Sequence, residues 1–283
     1  MFSSDRTGAV EPIIDIDTLR NQFPQYYSCL SEDELQPYKI ILCSGLLTKK
    51  EELLEKLVLI YKDNLIIIKN ISGRISKLKL NFSDINYVIN EGRPNSNSIT
   101  IDYKFDLRER IFYDLEVNDL INGLLLELRK KLIENTVLFE KDDYSDLHFS
   151  DAEENKYPGA VLAKAAVLDK ASILCSLKQK KIHHYPGLVF SKVVTLTHFT
   201  VVCKKEIIIF MEKVNYRANH AISGDIIHIP LGALKNVALE ATGKGMIMKY
   251  TFNTEKKLEM FYENERTDQL LKIMSYINSM IVR

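Results

Sequence analysis

The sequence has no net charge of either sign. Lys plus Arg and Asp plus Glu both total 38 among the 283 residues, so the formal charge at neutral pH is zero. A chain without excess positive charge does not bind nucleic acid through bulk electrostatics, and we predict no nucleic-acid partner. Any anion-binding site must therefore be local.

Long apolar runs and cysteine motifs are also missing. The opening MFSSDRTGAVEP carries charges where a signal peptide needs an apolar run, and the most apolar stretches, such as Leu65 to Ile68, have the length of a strand. These features predict a cytoplasmic protein that contacts a membrane, if at all, only peripherally. The four cysteines lie far apart and predict buried free thiols rather than a zinc site: Cys29, Cys43, Cys175 and Cys203.

The usual catalytic signatures are missing as well. The sequence has no phosphate-binding glycine loop, no GxSxG elbow and no HExxH motif. The stretch Gly243-Lys244-Gly245 lies between two predicted strands, which is typical of a hairpin turn rather than a nucleotide loop. We predict that the protein is not an enzyme and uses no cofactor and no metal.

Short runs rich in Ile, Val, Leu and Tyr dominate the first half of the chain. Runs of this kind, separated by turn residues, predict strands. Seven are expected, at Lys39 to Thr48, Lys56 to Tyr61, Leu65 to Lys69, Ile75 to Leu80, Ile85 to Ile89, Ser98 to Tyr103 and Arg110 to Leu115. Apolar residues then recur at helical spacing from Val117 to Leu132, which predicts a closing helix.

The second half repeats this order. Seven further strands are expected, at Ser172 to Gln179, Val193 to Val202, Glu206 to Glu212, Ile226 to Ile229, Val237 to Ala241, Met246 to Phe252 and Leu258 to Tyr262. A terminal helix follows, and Leu270, Ile273 and Ile277 lie on its apolar face.

Short sequence matches occur in the same order in both halves. Ile41-Leu42-Cys43-Ser44 recurs as Ile173-Leu174-Cys175-Ser176, and Phe112-Tyr113 before one helix corresponds to Phe261-Tyr262 before the other. A repeat of this length indicates a duplicated domain rather than a solenoid. We predict an N-terminal extension at 1–37, domain 1 at 38–136, an acidic linker at 137–158 and domain 2 at 159–283.

The N-terminal extension is too apolar for a free tail, because it contains Phe23, Tyr26 and Tyr27. It includes a predicted short helix from Asp17 to Phe23 and a capping-box spacing from Ser31 to Glu34. We expect this segment to pack on the first domain and to cover a sheet edge or a groove.

These elements resemble the pleckstrin-homology (PH) superfamily. Leu80-Asn81-Phe82-Ser83-Asp84-Ile85 is similar to the family's fifth-strand phrase, and Ile229-Pro230-Leu231-Gly232-Ala233-Leu234 repeats it. The resemblance implies a mainly β protein with two tandem PH-like barrels, each a seven-stranded bent antiparallel sheet closed by a C-terminal α-helix. The family usually has a tryptophan in that helix and this chain has none; Leu124 and Met274 lie on the faces where it would pack.

The resemblance also implies where a lipid headgroup would bind. In phosphoinositide-binding members, lysines and an arginine flank the first hairpin, and Lys49, Lys50 and Lys56 lie there in domain 1. Val58 replaces the arginine. The intervening loop carries Glu51, Glu52 and Glu55, whose charges oppose a polyphosphate ligand.

Domain 2 offers the stronger anion candidate, because its first hairpin has no acidic residue. The candidate headgroup ligands are Lys178, Lys180, Lys181, His183 and Lys192. The apolar tip Leu188, Val189 and Phe190 is a candidate for insertion into the bilayer interface. Val194 stands where the family has arginine, and a basic hairpin that only packs on its own barrel is an equal alternative.

The linker contains a degenerate match to the acidic-flanked FFAT motif, through which other proteins bind VAP proteins of the endoplasmic reticulum. The matching residues are Phe149, Asp151, Ala152 and Glu154. His148 and Ser150 depart from the motif, so a plain linker is the alternative to a VAP-type partner.

Two functional hypotheses follow. The first is a non-catalytic adaptor that binds anionic, phosphoinositide-type membrane lipid headgroups and protein partners. The alternative is a protein-interaction scaffold that binds no lipid and takes a peptide along an open sheet edge or beside a closing helix.

Overall fold

The computed structural model describes residues 9–13, 15–47, 53–91, 97–104, 107–113, 118–134, 147, 157–184, 192–213 and 224–281. These residues form mainly antiparallel strands, with a helix at the end of each half of the chain. The prediction of a mainly β protein is confirmed. Below, "first half" means residues 9–134 and "second half" means residues 147–281.

Strand and helix bounds are as follows. In the first half the strands are β1 (Ala9–Ile13), β2 (Lys39–Leu47), β3 (Leu53–Ile60), β4 (Asn64–Ile71), β5 (Arg74–Asn81), β6 (Ile85–Glu91), β7 (Asn97–Tyr103) and β8 (Leu107–Tyr113). In the second half they are β9 (Ile173–Gln179), β10 (Ile182–His184), β11 (Lys192–Thr195), β12 (His198–Cys203), β13 (Glu206–Glu212), β14 (Gly224–Pro230), β15 (Leu234–Thr242), β16 (Gly245–Phe252) and β17 (Lys257–Tyr262). The helices are α1 (Ile16–Gln22), α2 (Pro24–Tyr27), α3 (Asn118–Glu134), α4 (Pro158–Ala165) and α5 (Thr267–Met280).

The strands form three sheets and one separate ribbon. A five-stranded sheet has the order β1-β2-β3-β4-β5, and a three-stranded sheet has the order β15-β16-β17. The largest sheet has seven strands in the order β8-β7-β6-β14-β13-β12-β9, and β10 and β11 form a two-stranded ribbon. The prediction of two separate seven-stranded barrels is therefore wrong, because three strands of the first half and four of the second share one open sheet.

The two halves are joined where β6 pairs with β14. The antiparallel register runs from Asp225 opposite Glu91 to His228 opposite Val88. Side chains alternate between the faces of a strand, and β6 uses both faces for apolar packing. Val88 lies in the core of the first half, whereas Tyr87 lies in the core of the second.

Polar contacts also cross the joint between the halves. The side chains of Arg129 on α3 and Glu206 on β13 form an ion pair at 2.7 Å and are only 6% and 5% exposed. Burial raises the pKa of Glu206, and the nearby Arg129 opposes that rise. Thr254 donates a hydrogen bond to Asn86, and Lys256 lies 3.5 Å from the buried carboxylate of Asp102.

The segment before β2 packs on the first half: it adds a strand at a sheet edge and also covers the outer sheet face, where the sequence suggested an edge or a groove. β1 pairs along β2, and Leu19 and Tyr26 are buried against Leu57 and Ile66 of that sheet. The predicted capping box is present at Ser31. A sheet edge is thus extended and a sheet face is covered by the same extension.

Helix α4 covers the second half's outer sheet face in the same way. Ala160 and Ala163 are buried against Phe199 of β12 and Phe210 of β13. A Cβ at Gly159 would lie 2.6 Å from the Phe210 ring, so glycine allows the close approach. Val167 belongs to this cluster, and Leu147, within the predicted linker, is buried in the second half's core.

Most predicted elements are found within a few residues of their expected ends, including α3, α5 and the closing strands of both halves. The predicted strand from Val193 to Val202 is instead two strands, because the chain leaves the ladder at Leu196 and Thr197. Leu124 is buried in the first core, and Met274 packs against the second. None of the described helices is long and apolar enough to cross a membrane.

The shared sheet leads us to expect that the halves stay together when the linker is cut. A protease site placed between Asp142 and Glu154 should yield two fragments that still elute as one species from a sizing column, because β6 and β14 remain paired. Arg129→Glu puts two carboxylates face to face at the joint and should release the fragments after cutting. Lys130→Glu, on the exposed side of α3, is the matched control. Separate elution of the wild-type fragments would contradict this expectation.

Two buried histidines lead us to expect a loss of stability in mild acid. Burial lowers the pKa of His198 to about 4 and lowers that of His228 well below its usual value, with Arg129 adding repulsion at His228. Below about pH 6.5 both histidines become protonated in the unfolded chain but stay neutral in the folded one. The free energy of unfolding should therefore fall by up to about 2.7 kcal/mol for each unit by which the pH is lowered. His228→Leu should remove about half of that slope between about pH 6.5 and 4.5 in urea titrations. An unchanged slope would show that His228 is protonated in the folded protein.

Candidate anion-binding surface

The first half does not present its predicted lysine to an external anion. Lys56 is 7% exposed, and its Nζ lies 2.6 Å from Glu109 Oε1. Lys56 also donates to the carbonyl oxygen of Arg110, and Lys69 pairs with the second oxygen of Glu109. Desolvation lowers the pKa of Lys56, and Glu109 counteracts that effect. An internal carboxylate therefore neutralises Lys56, and Lys49 and Lys50 lie outside the described residues.

The second half directs lysines outward from the end of β9. Lys180 is exposed, and Lys178 and Lys181 are half-buried. Lys178 and Lys180 flank Gln179, where β9 ends. The buried Gln179 fixes that point. Its Nε2 donates to the Lys180 carbonyl at 2.8 Å, and its Oε1 accepts from the Glu263 backbone N–H at 2.8 Å.

Lys178 is held against an aromatic ring. Its Nζ lies 4.6 Å from the centre of Tyr157, the residue that precedes α4. The Tyr157 hydroxyl donates to Glu212 at 3.4 Å, and burial is the main cause of the raised pKa of Tyr157. This contact places the end of β9 beside the beginning of α4, a connection that the sequence does not predict.

The β10–β11 ribbon carries the remaining predicted ligands. His183 pairs with Val193, and His184 pairs with Lys192, in an antiparallel register. The backbone thus brings His183 and Lys192 to the same ribbon that follows Lys180 and Lys181. The predicted membrane tip, Leu188, Val189 and Phe190, lies outside the described residues, as do Phe149, Asp151, Ala152 and Glu154 of the linker motif.

Lysines outnumber acids in the sequence that contains this ribbon. Between Asn155 and Lys205 the sequence has one acid, Asp169, and nine lysines, at 156, 164, 170, 178, 180, 181, 192, 204 and 205. The scarcity of acids in this window is a sequence signal that would have extended the candidate surface from the hairpin to α4 and to the β12–β13 turn. Among the described residues, Glu212 accepts from Tyr157, and the Glu263 backbone donates to Gln179.

Within the described residues, no three His, Cys, Asp or Glu side chains are grouped so that they could hold a metal ion. Lysine ammonium groups, such as those of Lys180 and Lys181, bind anions as point charges with three donors each. The chain matches no protein-family model, and no curated protein sequence is significantly similar to it. Its function must be inferred from its own residues.

The Lys56 contacts generate a stability prediction. Glu109→Gln leaves the buried Lys56 ammonium without its counter-charge, and we expect a loss of about 3–5 kcal/mol in the free energy of unfolding. Urea denaturation measures the change. Combining Glu109→Gln with Lys56→Met removes both charges and should recover most of the loss.

The control is Glu259→Gln, which removes an exposed partner 3.5 Å from Lys249. That change should cost less than about 1 kcal/mol, since solvent screens the pair. Equal stabilities of the Glu109→Gln and Glu259→Gln proteins would contradict the buried ion pair.

Proposed function

We propose that the protein is a non-catalytic, PH-like adaptor whose second half binds anionic membrane lipid headgroups of the phosphoinositide type. The ligands are Lys178, Lys180 and Lys181, with His183 and Lys192 added by the β10–β11 ribbon. The observation that carries the proposal is charge exposure: within the described ranges, Lys180 and Lys181 form no ion pair, in contrast to Lys56 and Lys69 of the first half.

The order of elements supports the PH-like assignment. In the first half, β2–β5 are followed by β6–β8 and then α3; in the second, β9 and β12–β14 are followed by β15–β17 and then α5. A one-turn 3-10 helix separates the two strand groups in both halves, at Phe82–Asp84 and at Leu231–Ala233. The sequence phrases that resemble the PH family fall on these two turns.

The expected affinity of the lysines alone is modest. Each lysine near an anionic surface contributes about 1 kcal/mol, so four of them give a dissociation constant of roughly millimolar order. Binding in a cell therefore requires either a defined headgroup contact or additional apolar contact with the bilayer. VAP-type recognition through the acidic linker stays a prediction from the sequence.

A protein-interaction scaffold is the second candidate, and strand β5 favours it. β5 ends the five-stranded sheet, where β4 is its one neighbour among the described strands, and Arg74 to Lys77 are all exposed. An open strand edge of this kind accepts an extended peptide through backbone hydrogen bonds. A partner bound in this way should survive high salt in a pull-down, whereas lipid attraction should fade.

Co-sedimentation with acidic vesicles tests the lipid proposal. Lys180→Glu with Lys181→Glu removes two attractions and adds repulsion, so binding at low salt should weaken by at least about 30-fold. The control, Lys235→Glu with Lys244→Glu, makes the same change in net charge on the β15–β16 hairpin and should bind as the wild type does. Equal loss in both variants, or a wild type that never binds, would contradict the proposal.

A further inference from the structure

Helix α4 has an apolar face turned to solvent. Its inward side is Gly159, Ala160 and Ala163, which are buried. Its outward side is also apolar, since Val161 and Leu162 are 56% and 42% exposed and Pro158 and Ala165 are exposed beside them. Surface helices normally direct polar residues outward, so an apolar outward face indicates a missing contact.

The corresponding cover of the first half shows the usual pattern. Helices α1 and α2 also lie on an outer sheet face, yet apart from Pro24 their exposed positions are polar: Asp17, Arg20, Asn21, Gln22 and Gln25. The same position in the two halves thus presents opposite surfaces to solvent. The exposed apolar residues of α4 are therefore not a general feature of the helices that lie on these outer sheet faces.

Lysines lie at both ends of the α4 face. At its beginning, the ammonium group of Lys178 lies over the ring of Tyr157, and Lys180 and Lys181 come next in the sequence after Gln179. At its end are Lys164 and the exposed Lys170. Among the described residues, the acids beside this face are Asp169 at its end and Glu212, which accepts a hydrogen bond from Tyr157.

We propose that α4 lies flat on an anionic bilayer, with Val161 and Leu162 in the interfacial zone and the flanking lysines on lipid phosphates. This inference rests on the proposed function and extends it from a headgroup site to a membrane-contact face. Apolar residues between lysines match the two layers of a bilayer surface, which is anionic outside and apolar beneath.

A bilayer fits this face better than an acidic protein does. An eight-residue helix is about 12 Å long, and a stable protein interface needs roughly 800 Å² on each side. A bilayer needs only shallow insertion of a few aliphatic side chains, with lysines alongside.

The absence of tryptophan from the chain allows a direct test. Leu162→Trp introduces a single tryptophan on α4, and Gln22→Trp introduces one on the polar cover of the first half as the control. With vesicles of phosphatidylcholine and about 30% phosphatidylserine carrying brominated acyl chains, we expect emission from the α4 tryptophan to be quenched and blue-shifted. The control tryptophan should stay unquenched.

Affinity measurements separate this inference from the proposed function. Val161→Ser with Leu162→Ser keeps the lysines and should weaken vesicle binding about tenfold, including at high salt where electrostatic attraction is screened. Gln22→Ser with Gln25→Ser is the control. Urea denaturation checks that α4 still packs, and these exposed sites should leave stability unchanged.

The outcomes distinguish the α4 membrane contact from the headgroup site. If the serine variant binds like wild type and the α4 tryptophan stays unquenched, the α4 inference is overturned, while loss of binding in Lys180→Glu with Lys181→Glu still supports the headgroup site. That result would assign the apolar face to a protein partner. If the serine variant loses binding and the glutamate variant does not, the headgroup site is overturned instead. A wild type that binds no acidic vesicle overturns both.

Discussion

The pairing of β6 with β14 is the interaction on which the rest of the structure depends. Because side chains alternate along a strand, β6 supplies Val88 to one core and Tyr87 and Ile89 to the other. A slip of one residue in this register would exchange the two sets and damage both cores at once. The two halves are therefore parts of one packed body, and the open seven-stranded sheet is the consequence.

Buried polar groups make this joint specific. Arg129 with Glu206, and Asp102 with Arg108 and Lys256, place charges where purely apolar packing would tolerate several alignments. Pairs of this kind contribute little net stability, but an unpaired member is costly, so misaligned arrangements are penalised. His228 lies in the same region and must stay neutral beside Arg129. The register of β6 and β14 is thus maintained more by the free-energy cost of leaving a buried charge unpaired than by the net stability of the ion pairs.

Local patterns predicted the elements, and contacts distant in sequence explain where prediction ended. The strands and closing helices follow periods of two and 3.6 residues, which short windows show. Lys56 looked available because its partner Glu109 is 53 residues away. The shared sheet was not predictable, since any exposed strand edge can in principle accept another. Helix α4 lacks an apolar period because both of its faces are apolar, which in sequence resembles a short buried segment.

The distribution of charge supports a difference in role between the two halves. The chain is neutral as a whole. The first half pairs its inner lysines with Glu109, and the helices over its outer sheet face expose mostly polar residues to solvent. The segment from 155 to 205, in contrast, has nine lysines and one acid. Clustered lysines repel one another and weaken the folded state, so their concentration beside an exposed apolar helix is costly without a ligand. An anionic surface with an apolar layer beneath it relieves both costs at the same place. The proposed membrane contact therefore includes both the β10–β11 ribbon and α4.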